Sequence, residues 1–394
     1  MATSPADDNA QHDKSWRSLL LSSGALSIAI MGDALIYIVL PVNAETFGIG
    51  LAWVGVLLAA NRIVRTFAYG AIAAFSERIG IKYLCILASI TAVTSTAMYG
   101  LFQGWAPLLA ARVVWGLSFA ALLLVALGYS TSDRARRGTR VGVSHALEQI
   151  GPLIALTAGV WLAGVVGPRD AFLYLALLTC ISVLFAVMLP PPVARRPTSR
   201  ESRPNILPKP DRFDILVLWI GFAVDGVFTM TVTIMLAEHV VLELAMVWGG
   251  LLIAGRRLVE IVAAPLSGIV ADRFGVRRPL VAASLLLVTG LAFVGVGWLY
   301  AGALAIILAR GALGTLIPAS VALFAPSGVL QPLARNMTWR DVGAAAGPLT
   351  TGFLLGFMRP ETIHLILAAI FLCSLLWLVT SPAWRRQTNR SAAE

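Results

Sequence analysis

Apolar runs of about 20 residues recur twelve times along this chain, and this recurrence restricts its fold most strongly. Each run is long enough to cross the hydrocarbon core of a bilayer as a helix. The runs occupy residues 19–42, 51–75, 83–102, 105–129, 141–163, 171–190, 213–237, 246–270, 279–299, 302–325, 337–357 and 362–380. Only 13% of the residues are charged, against about 25% in soluble domains. The sequence therefore predicts an all-α membrane protein with twelve transmembrane helices in contact with lipid.

Basic residues are unevenly divided between the predicted loops. One set of alternate loops, together with both tails, holds most of them, whereas the opposite set holds only Arg169 and Arg359. Because cytoplasmic loops carry such an excess, both termini are predicted to be cytoplasmic. The net charge of +10 therefore indicates membrane topology and not a nucleic-acid partner.

The N-terminal tail is polar, with charges of both signs and no cleavage site after a short apolar core, so it is not a signal peptide. The first helix is expected to remain as a signal anchor. We expect a multi-pass protein of a bacterial inner membrane, although composition alone does not distinguish that membrane from others.

A segment rich in proline, serine and arginine, PPPVARRPTSRESRPNILPKPDR, separates six apolar runs from the next six. Such a composition cannot bury an apolar face. The predicted organisation is a cytoplasmic tail (1–18), a six-helix bundle (19–190), a cytoplasmic linker (191–212), a second six-helix bundle (213–380) and a cytoplasmic tail (381–394).

The two predicted bundles repeat each other in sequence. WVGVLLAANRIVRTFAYGAIAAFSERIGIK (53–82) aligns without gaps with WGGLLIAGRRLVEIVAAPLSGIVADRFGVR (248–277), so that Arg62 matches Arg257. Arg112 in the fourth run has a counterpart at the same place in the tenth. Because six crossings return the chain to the same side, the repeats are parallel, and parallel six-helix repeats are a transporter architecture.

The segment GIVADRFGVRR (268–278) resembles the signature loop of the major facilitator superfamily, and the chain resembles that family over essentially its whole length. The first-half copy, AAFSERIGIK (73–82), departs from the pattern, because Ala73 replaces a glycine and Glu77 replaces an aspartate. Arg112 and Gly116 resemble the arginine motif of the fourth helix. The resemblance implies a fold of two parallel six-helix bundles.

Two shorter resemblances concern the type of transporter. GAAAGPLTTG (343–352) is similar to the glycine–proline motif of drug–proton antiporters, although it lies in the eleventh run; the fifth run keeps only Gly151-Pro152. GDALIYIVLPV (32–42) is similar, more weakly, to the first helix of opine-metallophore exporters. These resemblances imply export in exchange for protons.

The family resemblance also implies a gate at the cytoplasmic ends of the second and eighth helices. There the acids of the loop motif hold helices of the opposite bundle. The residues in question are Glu77 with Arg78, and Asp272 with Arg273.

Charged residues within the apolar runs avoid every third helix. The third, sixth, ninth and twelfth runs carry none, apart from His364 near an end. Because charges in membrane helices face the protein interior or water, those four helices are predicted to be peripheral. The other eight are predicted to enclose a polar cavity.

Arginines outnumber acids by two among these deep charges. The arginines are Arg62, Arg65, Arg112, Arg256, Arg257, Arg310 and Arg340, and the acids are Asp33, Glu148, Asp225, Glu260 and Asp341. A transported anion could supply the balance, and arginine suits forked recognition of carboxylate or phosphate.

We predict that Arg62, Arg65 and Arg257 bind the substrate, together with the uncharged Asn61 and Tyr37. Arg112, Arg310 and Arg340 are interpreted as structural, paired with loop acids or capping helix ends near the cytoplasm. Glu260 is within reach of Arg256 or Arg257, and Glu260 and Asp341 are grouped with the structural set.

Proton coupling requires a group that changes its protonation state. Asp33 and Asp225 have no charged neighbour within a helical turn, so their neutral forms should be the easiest to reach. Glu148 with His145, three residues apart, forms a second candidate relay. A metal site at that pair is not favoured, because the pair supplies two ligands on one helix and the sequence predicts no third. The polar segment 238–243 is interpreted as a solvated external loop.

The sequence favours a monomeric, proton-coupled exporter of a small organic anion or zwitterion. A proton symporter that imports an organic acid is the alternative, since the residues do not set direction. A membrane enzyme or receptor is disfavoured, because no nucleophile elbow, phosphate loop or HExxH motif is present. No cofactor is expected, and the three cysteines, all in apolar runs, form neither a metal-site spacing nor a disulfide framework.

Overall fold

Long helices account for nearly all of the structure, a computed structural model that describes residues 5–190, 207–237, 242–325, 328–381 and 384. Twelve of them lie within those ranges: α1 (Pro5–Val42), α2 (Leu51–Ile79), α3 (Ile81–Leu101), α4 (Trp105–Ser130), α5 (Arg137–Val166), α6 (Pro168–Met188), α7 (Arg212–Ala237), α8 (Leu242–Phe274), α9 (Arg277–Gly295), α10 (Leu299–Phe324), α11 (Leu330–Leu354) and α12 (Pro360–Val379). The described ranges contain no strand.

Ten of these helices are long and apolar enough to cross a membrane. The two others, α8 and α11, carry the charged pairs Arg256–Arg257 and Arg340–Asp341 among their apolar residues. Charges of this kind lower hydropathy and are expensive in a bilayer unless they face protein or water. Twelve crossings and cytoplasmic termini therefore stay predictions.

The predicted helix boundaries differ from the observed ones mainly at the N-terminus. α1 begins at Pro5, so it includes most of the predicted 1–18 tail. The division between α9 and α10 falls at 296–298, where Gly297 has a positive φ of 88°. Much of the predicted linker (191–206) and most of the C-terminal tail lie outside the described residues, as does much of segment 238–243.

The first six helices and the last six form two bundles with equivalent packing. α3 packs on α4 and α6, and α9 packs on α10 and α12. The principal contacts of α3, α6, α9 and α12 all lie within their own bundle, in agreement with their predicted peripheral position. The bundles meet along two seams, α2 with α11 and α5 with α8.

The α5–α8 seam is closest at one end of the molecule. We call this the basic end; α2, α4, α8 and α10 finish there, and α5, α7 and α11 begin there. A Cβ added to Gly142 would lie 2.4 Å from the Ala264 carbonyl oxygen, and one added to Gly268 would lie 2.2 Å from that of Gly138. Small residues thus allow the two backbones to touch, which closes this end.

Two helices contain π-helical turns. One spans Ala155–Gly159 in α5 and the other spans Gly221–Phe228 in α7. The second stretch includes Asp225, and Thr229 donates a hydrogen bond to the Val224 carbonyl there at 2.9 Å. Because π-turns inside α-helices are frequent at functional sites, Asp225 is a candidate functional residue.

Candidate functional site

The first buried charge cluster joins α1, α2 and α4. Arg112, which is fully buried, forms an ion pair with Asp33. It also donates hydrogen bonds to the Tyr37 hydroxyl and the Leu58 carbonyl, each at 3.2 Å. Asn61 donates from Nδ2 to Asp33 Oδ1 at 3.2 Å. The cluster is therefore internally satisfied.

The second cluster is its counterpart in α7, α8 and α10. Arg310 Nη2 and Arg256 Nη1 each lie 3.1 Å from an oxygen of Asp225. Arg256 Nε lies 3.4 Å from Glu260 Oε1. The Asp225–Arg310 pair thus occupies in the second bundle the place that Asp33–Arg112 occupies in the first, so the sequence repeat is also a repeat of contacts.

These clusters correct two expectations. The prediction that Asp33 and Asp225 lack a nearby countercharge was wrong, since each is paired with an arginine of another helix. The expected partners of Arg112 and Arg310, namely loop acids or helix ends, were wrong for the same reason. Spacing along one helix cannot detect partners that tertiary packing supplies.

A third cluster crosses the α2–α11 seam. Arg65 Nε lies 2.8 Å from Asp341 Oδ2, and the Tyr69 hydroxyl donates to the same oxygen at 3.0 Å. Arg340 Nη2 lies 3.2 Å from the other oxygen of Asp341. One carboxylate is therefore shared by two guanidinium groups, and Arg65, predicted to bind substrate, is engaged in an ion pair between the bundles.

An equivalent contact crosses the α5–α8 seam. There the acid lies on α8, the repeat counterpart of α2, and the basic side chain lies on α5, the counterpart of α11. His145 Nε2 lies 3.9 Å from Glu260 Oε2, and His145 Nδ1 lies 3.4 Å from Glu148 Oε2. In the repeat alignment Glu260 corresponds to Arg65. One seam is thus held by a permanently charged pair, whereas the charge of the other depends on the protonation of His145.

Arg62 and Arg257, which match in the repeat, are the deep arginines left without a carboxylate. Arg62 donates to the Ala344 carbonyl at 3.2 Å, and Arg257 donates to the Gln149 side chain. Within the described part of the chain, neither forms an ion pair within 4.0 Å. Both reach across a seam, so their charges lie at the contact between the two bundles.

The predicted substrate residues therefore do not form one group. Arg62 and Arg257 lie on opposite seams, while Tyr37 and Asn61 belong to the Asp33 cluster. Sequence reasoning missed Gln149, which follows Glu148 directly. The signal that could have identified Gln149 is a single amide side chain among apolar residues of a membrane helix.

A narrow cavity of about 40 Å³ lies between the bundles. Helices α4 and α5 of the first bundle and α7, α10 and α11 of the second supply its walls. His145, Glu148, Arg310 and Arg340 line it together with Ser144 and a larger number of apolar side chains. Among the described residues, no group of three or more candidate ligands could hold a metal ion.

The basic end is closed by Asp272 at the end of α8. Its two carboxylate oxygens accept hydrogen bonds from the backbone N–H groups of Gly138 and Thr139, both at 2.7 Å. These N–H groups are at the start of α5, where the helix dipole favours a negative charge. Glu77, its counterpart, is exposed and forms no hydrogen bond or ion pair of its side chain within the described residues. Arg78 and Arg273 are exposed as well.

Comparisons with known proteins agree with this architecture. The Major Facilitator Superfamily description matches residues 23–255. No curated protein matches. Three solved structures share the fold: the human organic anion transporter MFSD10 (TETRAN), the proton:xylose symporter XylE bound to 6-bromo-6-deoxy-D-glucose, and the E. coli fucose:proton symporter FucP.

MFSD10 is 15% identical with a TM-score of 0.75, over 92% of this chain and 99% of that one. XylE is 12% identical with a TM-score of 0.75, over 93% and 95%. FucP is 11% identical with a TM-score of 0.72, over 91% and 97%. At these identities the likeness is one of fold. Because the family match covers more than half of the chain, this multi-pass integral membrane protein belongs to the major facilitator superfamily, a family of transporters and not of enzymes.

Proposed function

We propose that this protein is a secondary active transporter that exports a small organic anion, or a zwitterion with an anionic group, in exchange for protons. The observation that carries this proposal is the pair Arg62 and Arg257. Two half-buried guanidinium groups, with no carboxylate within ion-pair distance among the described residues, occupy matching positions on the two seams. They leave positive charge where an alternating-access transporter holds its substrate.

An anionic substrate is favoured by the cost of isolated charge. Burying an unpaired ion is expensive, and buried charges are normally paired. A substrate carboxylate or phosphate that approaches a seam would find a cation already in place, and arginine suits such groups geometrically. The fold relative MFSD10 is described as an organic anion transporter, which is consistent with the proposal.

Proton coupling is assigned first to Glu148 and His145. Both line the cavity, and Glu148 has no arginine within ion-pair distance among the described residues. Asp33 and Asp225 remain candidates, but each would have to leave a guanidinium partner when it takes up a proton. Displacement of those partners would then have to accompany transport.

Export is favoured over import by the antiporter-like glycine–proline segment of α11. The alternative is a proton symporter that imports an organic anion, and the fold relatives XylE and FucP are described as proton symporters. A metallophore is one candidate cargo, given the first-helix resemblance. We propose cytoplasmic termini, a location in a bacterial inner membrane and a monomeric unit, so that the basic end faces the cytoplasm.

Transport into everted membrane vesicles tests the proposal. The vesicles would be energised and offered a panel of radiolabelled organic acids, from apolar monocarboxylates to polar polycarboxylates. We expect accumulation of at least one acid, which stops when nigericin collapses the pH gradient. Accumulation only in right-side-out vesicles would favour the symporter.

Arginine variants then test the site. Arg62→Gln combined with Arg257→Gln should reduce affinity for that acid by about tenfold or more, as expected for loss of a charged hydrogen bond. The matched control is Arg359→Gln, because Arg359 is highly exposed and lies outside the seams. Unchanged affinity in the folded double variant would exclude Arg62 and Arg257 from anion binding.

A further inference from the structure

The cavity between the bundles is polar at one end and apolar at the other. On α10, which runs toward the basic end, Arg310 comes first and Ile317 follows seven residues later, about 10 Å along the axis. On α11, which runs the opposite way, Met337 comes first and Arg340 follows. Both helices therefore place their charge on the side away from the basic end and their apolar residues near it.

The remaining walls have the same polarity. On α5, Val141 precedes Ser144 and Glu148 in the direction away from the basic end. The apolar floor, the part of the cavity nearest the basic end, is formed by Leu123, Leu127, Val217, Ile220, Ile317 and Met337. A solute that fills this cavity must therefore present an apolar surface at one end and a polar group at the other.

At the polar end, Arg340 is the cation best placed to receive a ligand. Arg310 lies 3.1 Å from Asp225 and is neutralised by it, because Arg256, the other arginine on Asp225, also pairs with Glu260. Arg340 pairs with one oxygen of Asp341, and Arg65 pairs with the other oxygen of the same carboxylate. The Arg340 side chain is also 20% exposed, whereas that of Asp341 is 3% exposed. Arg340 therefore shares its countercharge with Arg65, and Glu148, the other acid that lines the cavity, lies beyond ion-pair distance from it.

We propose that the transported anion is amphipathic, with a single anionic group at Arg340 in the closed cavity and an apolar body against the floor formed by α4, α7, α10 and α11. Arg62 and Arg257 do not line this closed cavity and bind the same group when the seams part. This inference rests on the proposed function and specifies its substrate class. Hydrophilic acids with several carboxylates are excluded, because one carboxylate would have to lie against the floor without a partner, at a large desolvation cost. The walls come from both bundles, so the halves must part slightly for the anion to enter.

Binding of three probes to the purified full-length protein tests this assignment. 4-Phenylbutyrate has an apolar body and one carboxylate, 4-phenylbutan-1-ol lacks the charge, and succinate replaces the apolar body with a second carboxylate. Calorimetric titration in detergent measures all three. We expect 4-phenylbutyrate to bind at least about tenfold more tightly than either of the others.

Two substitutions locate the ligand within the cavity. Arg340→Gln should weaken 4-phenylbutyrate about tenfold without changing 4-phenylbutan-1-ol, and Arg340→Lys should restore part of the loss. Met337→Gln keeps the length of the side chain but brings an amide to the floor, so it should weaken both phenyl compounds. Met188→Gln is the matched control, because Met188 is exposed at the end of α6.

The outcomes separate this inference from the proposed function. Tighter binding of succinate than of 4-phenylbutyrate would overturn the amphipathic class while leaving anion transport in place. Equal effects of Met337→Gln and Met188→Gln would overturn the position of the apolar body. Binding of neither acid, in a protein whose fold is verified by circular dichroism, would overturn the anionic substrate itself.

Discussion

Because Asp272 contacts the start of α5, we predict that replacing its carboxylate with an amide shifts the protein away from the form that is closed at the basic end. Asp272→Asn keeps one acceptor oxygen but replaces the other with an amide that cannot accept from Gly138 or Thr139. The negative charge at the helix N-terminus is lost too. Each bond is 2.7 Å long, as expected when an ionised carboxylate accepts.

The size of the effect follows from those two losses. A hydrogen bond to a charged group contributes about 1.5–3 kcal/mol, and a carboxylate at a helix N-terminus contributes about 0.3–2 kcal/mol. Asp272 is partly exposed, so solvent and salt screen both contributions. A net loss of about 1–2 kcal/mol changes a two-state equilibrium about five- to thirtyfold, toward the form open at the basic end.

Double electron–electron resonance measures this shift directly. Spin labels at Ala135, beyond the end of α4, and Leu323, in the last turn of α10, report the separation of the bundles at the basic end. The native cysteines are first replaced, since Cys180 and Cys373 are exposed. We expect Asp272→Asn to increase the fraction of the longer distance.

Glu77→Gln is the matched control. It makes the same chemical change at the equivalent position of the first repeat, where the side chain is exposed. An unchanged distance distribution for Asp272→Asn would refute the role of this contact. A larger shift for Glu77→Gln would show that the two repeats contribute in the reverse order.

Three further predictions concern the seams and the cavity. Gly268→Ala places a Cβ 2.2 Å from a backbone oxygen of α5, so it should open the basic end in the same distance measurement, whereas Gly255→Ala, with no atom within 4 Å, should not. Asp341→Asn leaves Arg65 buried without its countercharge and should destabilise the fold by about 3–5 kcal/mol, seen as a lower thermal unfolding midpoint; an unchanged midpoint would contradict the pairing. Glu148→Gln should abolish pH-gradient-driven transport but retain exchange of labelled for unlabelled substrate, and normal gradient dependence would move coupling to the paired aspartates of α1 and α7.

The sequence by itself determined the fold class, the two-bundle organisation and which helices are peripheral. Apolar runs and basic loops are local patterns that follow from the cost of placing charge in lipid. The internal repeat also predicted which residues of the two bundles are equivalent, so that Arg62 could be matched with Arg257 from the sequence. Counting the deep charges gives an excess of two arginines over acids, and among the described residues Arg62 and Arg257 are the two that have no carboxylate partner.

Only the tertiary structure determined which charged side chains form ion pairs with one another. Asp33 meets Arg112 and Asp225 meets Arg310 across about 80 residues of sequence, and no helical periodicity encodes such a distance. It also decided that Arg65 joins the bundles and that Arg340 faces a cavity with an apolar floor. The physical reason is that a deep charge must find a partner in three dimensions, and the packing of other helices determines which partner is within reach.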